Sequence, residues 1–117
     1  MTKEITIAGK QYIFTSNAAT PIFYKDFFKK DLMQEIKTDG DQMTIATDRM
    51  SELAFIMAKQ GDKADMMHLT FENYIEWLEL FNPFDLTLKG EEIFNVYIAD
   101  AMPQIVPKKK ARAKAKG

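Results

Sequence analysis

The strongest constraint on the fold sits at the start of the chain. Ile5 and Ile7 alternate with Glu4 and Thr6, and Tyr12 and Phe14 alternate with Gln11 and Ile13. The two runs flank Ala8-Gly9-Lys10, where Gly9 has the positive-φ freedom a tight reversal needs. Residues 3–15 therefore read as a β-hairpin with one apolar face. Two strands alone are marginal in water, so the rest of the chain must cover that face.

The chain beyond the hairpin has mostly helical periodicity. In 17–37, Asn17 or Thr20 suits a cap and Pro21 suits the first turn. Tyr24, Phe28 and Leu32 share one side there, while Phe23 and Phe27 lie on another. Such a segment is buried on several sides or touches another subunit, and a break near Lys30-Asp31 would split it into two short helices. TDGDQ at 38–42 reads as a loop. From 43 to 60, Ala46, Met50, Leu53 and Met57 form a stripe, Phe55 falls off it, and Gly61 suits a C-cap. A third helix spans 70–81, with Thr70 as N-cap. It turns Phe71, Tyr74, Ile75, Leu78 and Phe81 to the core and carries Trp77 on the edge. Glu72, Glu76 and Glu79 fall on its opposite face. Asn82-Pro83 ends it, and a linker runs through Leu88. The fourth helix, 90–102, uses Ile93, Phe94, Tyr97, Ile98 and Ala101, and Pro103 and Pro107 close the folded region. The fold class is α+β, mainly α: an N-terminal β-hairpin packed on a bundle of four to five helices.

At 117 residues the chain is one domain in size. Its formal net charge of −1 conceals a division. Lys108, Lys109, Lys110, Arg112, Lys114 and Lys116 crowd into residues 107–117 with no acid. The other ten cations face all seventeen acids, a net of −7 over residues 1–106. This predicts a folded acidic domain, 1–106, followed by a disordered basic tail, 107–117.

The composition leaves little material for catalysis. Without cysteine there is no disulfide, thiolate ligand or thiol nucleophile, and His68 is the sole histidine. The five glycines form no phosphate-cradling pattern, and neither Ser16 nor Ser51 sits in a nucleophile context. Asp39-Gly40-Asp41 fails as a calcium loop because Met43 occupies the third ligand position. No catalytic residue, metal or cofactor is expected. The chain also lacks an apolar run of about 18–20 residues that could span a membrane. Its first residues do not read as a signal peptide, which points to the cytoplasm.

Binding is the remaining kind of function. Phe23, Phe27, Phe55 and Leu80 do not fit the core stripes and are candidates for a client or self-association interface. The Glu72, Glu76 and Glu79 face reads as solvated helix or as a dock for a basic partner, the chain's own tail included. Eight methionines suit either core gaps or an adaptable apolar surface. The tail could contact nucleic acid, act as a solubilising segment or serve as a linker. It has no aromatics to stack on bases, and no recognition helix precedes it.

Three segments, in this order, resemble a known family: EITIAGKQYIFTSNAA with the apolar helix after it, SELAFIMAKQGD, and the aromatic and acidic TFENYIEWLELFNPFDL. Over about residues 3–105 the pattern is similar to the tail assembly chaperones of long-tailed bacteriophages and related prophages. The resemblance implies a non-enzymatic protein that coats the apolar, helical tape-measure protein, keeps it soluble and helps recruit tail tube subunits. Such a protein acts in the host cytoplasm, self-associates and is absent from the mature virion. The family also implies a longer form, made by programmed frameshifting, whose extra domain contacts tail tube protein. The basic tail would then be the linker at which that form continues. The alternative is a small nucleic-acid-associated protein that uses the basic tail.

Overall fold

The computed structural model describes the backbone of residues 1–105 and the side chains of residues 1–99. The basic tail, with Lys108, Lys109, Lys110, Arg112, Lys114 and Lys116, lies outside the described residues, as does Pro107. The described chain is a mainly helical α+β fold built on the expected N-terminal hairpin. Strands β1 (Thr2–Ile7) and β2 (Lys10–Thr15) pair antiparallel, with Ile5 opposite Tyr12 and Ile7 opposite Lys10. Their two-residue turn holds both Ala8 (φ 51) and Gly9 (φ 84) in the left-handed region, which matches the twist of the strands. The hairpin buries Ile5, Ile7 and Phe14 and leaves Ile13 on its outer face. The Met1 ammonium donates to the Ser16 carbonyl at 2.7 Å and Ser16 N–H donates back to the Met1 carbonyl at 2.8 Å, closing the open end.

The segment read as one helix over 17–37 breaks where the sequence allows it. Helix α1 spans Thr20–Phe28 and ends on Lys29, whose φ of 60 is left-handed. Asp31 then caps the single turn α2 (Leu32–Glu35) by accepting from Met33 N–H at 3.0 Å. The next stretch corrects the sequence reading. Instead of a loop at 38–42 and a helix from 43, the chain forms a second hairpin, β3 (Ile36–Asp39) and β4 (Gln42–Ile45). Gly40, at φ 64, turns it. The β-branched Ile36, Thr38, Thr44 and Ile45 explain these strands, since such side chains favour the pleated backbone.

Helix α3 (Thr47–Gly61) is the centre of the molecule. It packs against β2, α1 and α6 (Gly90–Ile105), and all seven residues from Glu52 to Ala58 are buried. A helix covered on every side has no off-face position, so Phe55 is fully buried. It lies within 5.0 Å of the Tyr74 ring and 5.6 Å of the Phe27 ring, centroid to centroid. The assignment of Phe55 to an exposed interface is therefore wrong. Phe23 and Phe27 are half-buried and pack on the same core. Ala46, read as a core position, is instead the exposed residue before α3.

Gly61 also differs from its expected role. The left-handed residue that ends α3 is Lys63 (φ 59), with Ala64 N–H reaching the Lys59 carbonyl at 3.0 Å. Gly61 is the last helical residue, and it lies against β2: a β-carbon there would collide with the carbonyl of Ile13. Glycine is needed for close approach of helix and strand. After a 3-10 turn at Met66–His68, the short helices α4 (Phe71–Leu78) and α5 (Asp85–Leu88) lead into α6, which runs through Pro103 rather than stopping there.

Two substitutions test this packing by urea denaturation. Gly61→Ala should cost about 2–3 kcal/mol, because backbone faces backbone and neither side can yield. Ala8→Asn should instead stabilise by about 0.5–1 kcal/mol, since asparagine tolerates the left-handed region better than alanine does. An unchanged midpoint in either variant would contradict the corresponding geometry.

Candidate binding surface

Helix α4 begins on a capping box. Thr70 Oγ1 accepts from Asn73 N–H at 3.1 Å, and the Asn73 side-chain oxygen accepts from Thr70 N–H at 2.9 Å. The eight residues of the helix cannot all face inward. Tyr74 and Trp77 are buried and Leu78 packs half-buried against the core. Tyr74 meets the rings of Phe55 and Phe28 at 5.0 and 5.1 Å, and Trp77 meets those of Phe81 and Phe55 at 4.9 and 5.8 Å. Trp77, expected at the edge, is thus on the buried side by which α4 packs on the core.

Phe71 is 68% exposed and Ile75 is exposed as well, which corrects their assignment to the core. At 3.6 residues per turn the order around α4 is fixed. The buried Trp77, Tyr74 and Leu78 come first, then Phe71 and Ile75, then Glu79, Glu72 and Glu76, all three exposed. An apolar strip therefore lies directly beside an acidic stripe on one helix. Leu80 comes just after the helix, exposed as an interface role requires. One turn later Phe84 and Leu88, four residues apart at α5, are 73% and 79% exposed.

Phe71, Ile75, Phe84 and Leu88 are the functional candidates that sequence reasoning misses. Their signal is present: the eight residues of α4 hold five large apolar side chains, more than the inner side of two turns can bury. Of the sequence candidates, Phe55 is buried, Phe23 and Phe27 are half-buried against the core, and only Leu80 stands with the exposed set.

A concave region lies between the β3–β4 hairpin and α6. It is a groove of about 450 Å³ with Met43, Ile45, Met50, Phe94 and Ile98 on its walls and Asp41 and Glu91 also lining it.

The titratable groups are arranged for structure. Glu52, buried in the middle of α3, accepts from the Tyr24 hydroxyl at 2.7 Å, Lys30 Nζ at 2.9 Å and Arg49 Nη1 at 2.6 Å. Burial, followed by that bond to Glu52, drives the Tyr24 hydroxyl well above the ordinary phenol range. The Glu52 bond likewise raises Arg49. His68 pairs with Asp65, Nδ1 to Oδ2 at 2.7 Å, and this hydrogen bond lowers the Asp65 carboxyl; both side chains are open to solvent. Among the described residues no group of three or more His, Asp or Glu side chains is placed to hold a metal ion, and no helix is long and apolar enough to cross a membrane.

Tyr74, beneath the apolar strip, carries a pH signature. Burial, with the Glu52 charge behind it, pushes its hydroxyl from near 10 up to about 12. The unfolded chain thus releases this proton first. The contribution is complete below pH 10 and lost as pH rises toward 12, so the alkaline fall in stability should be shallower in Tyr74→Phe, measured as urea midpoints at about pH 8, 10 and 11. An identical fall would contradict the burial of this hydroxyl. Compared with known proteins, the chain matches no family model, no curated protein and no solved structure.

Proposed function

We propose that this protein is a non-enzymatic tail assembly chaperone of a long-tailed bacteriophage or prophage. It binds the tape-measure protein, keeps it soluble in the host cytoplasm, helps recruit tail tube subunits and leaves before the virion is complete. The observation that supports a binding function is the succession, within residues 71–88, of five exposed large apolar side chains: Phe71 and Ile75 on α4, Leu80 after it, and Phe84 and Leu88 at α5. Residues four apart on a helix present the spacing that helix-in-groove recognition reads. The order of elements supports the family, since the hairpin, the helix after it and the aromatic, acidic α4 carry the segments that resemble these chaperones.

Co-expression with a tape-measure protein tests this reading. The full chain should keep the client in the soluble fraction and co-purify with it. Phe71→Asp combined with Phe84→Asp should abolish both effects and leave the circular dichroism spectrum and thermal midpoint within about 2 °C of wild type, because surface substitutions change stability little. Undiminished co-purification by the folded double variant would overturn the placement of the client surface. A wild-type chain that neither solubilises nor retains the client would overturn the function.

A further inference from the structure

The apolar strip of α4 does not stand by itself. Phe71 and Ile75 border the stripe of Glu79, Glu72 and Glu76, with no cation anywhere on that helix. A partner segment that covers Phe71 and Ile75 must lie alongside those carboxylates. An acidic partner would be repelled, and a purely apolar one would crowd charges that need water. A partner with an apolar stripe and adjacent lysine or arginine meets both demands.

We propose that α4 docks an amphipathic helix whose apolar stripe is bordered by lysine or arginine, so that the client segment is read by charge as well as by apolar contact. This rests on the reading of the protein as a binder of an apolar helical client. The chain's own segment 107–117 supplies six cations, but alanine is its largest apolar side chain apart from Pro107, so it leaves Phe71 uncovered. A second copy of the folded domain would bring acid against acid.

Trp77, the sole tryptophan, is on the buried side of the same helix, and a change in its fluorescence reports occupancy of α4. The probes are two synthetic helical peptides of about five turns with the same leucine stripe, one bordered by lysine and the other by glutamate, titrated into the full-length chain. The lysine peptide should bind about ten-fold more tightly at low salt, the scale of three exposed ion pairs. The preference should shrink at about 0.5 M salt and vanish in Glu72→Gln/Glu76→Gln/Glu79→Gln, while Phe71→Asp should abolish binding of both peptides. Equal binding of the two peptides, or binding of neither, would overturn the proposal. The apolar-client reading is judged separately, by whether the wild-type chain solubilises tape-measure protein. A third outcome concerns the tail. If replacing its six cations with serine raises lysine-peptide affinity about ten-fold or more, the tail is the resident occupant and the proposal is wrong.

Discussion

A carboxylate in the middle of the central helix governs how the α1–α3 half of the molecule is assembled. Glu52 lies among Leu53, Ala54, Phe55 and Ile56, where an unpaired charge would be intolerable. Three donors occupy its oxygens: Tyr24 from α1, Lys30 from the break after α1, and Arg49 from one turn earlier in α3. Each comes at a fixed place, so the network fixes the position of α1 against α3 and the direction in which the chain leaves α1. Lys30 can reach Glu52 only because α1 has ended at the left-handed Lys29. Such a network adds little net stability over an apolar alternative, but removal of any one partner is costly. Its geometry ties α1, the break after it and α3 to one carboxylate.

With α3 at the centre, the remaining elements divide its surface. The N-terminal hairpin closes on its C-terminal half, where Gly61 lets the Ile13 carbonyl approach. Helices α1 and α6 take two more sides. The fourth is left to the rings of Phe28, Phe55, Tyr74 and Trp77, packed tilted or edge-on at centroid distances of 5.0 to 6.4 Å. Helix α4 joins that aromatic layer through one side only, by Tyr74 and Trp77. Nothing among the described residues buries its other apolar residues, and this is why a chain with an ordinary hydrophobic content still presents phenylalanine to solvent.

The parts of this fold legible in the sequence are those where local pattern and tertiary position agree. The strict alternation around Gly9 describes the first hairpin, and the Met50, Leu53 and Met57 stripe marks α3. The second hairpin is hidden because four-residue strands give too short an alternation, and Met43 and Ile45 also suit a helical face. Phe55 is misplaced by wheel geometry, which assumes that a helix has an outside; α3 has none over 52–58. Phe71 is misplaced for the converse reason. A two-turn helix on the margin of a core has room inside for three large side chains, whatever its periodicity. The acidic stripe is legible, since charge declares exposure directly. Its position beside an apolar strip becomes meaningful only with Phe71 and Ile75 on the outside.

That juxtaposition also bears on how copies of the chain meet. Two α4 faces brought together would bury apolar surface but set Glu72, Glu76 and Glu79 of each copy against those of the other. A net charge of −7 over residues 1–106 adds repulsion at longer range. A like-charge cost therefore opposes pairing of the exposed aromatics of one copy with those of another. The groove between the β3–β4 hairpin and α6 has apolar walls in Met43, Met50 and Phe94, but Asp41 and Glu91 line it without a cation, so two copies meeting there face the same like-charge cost.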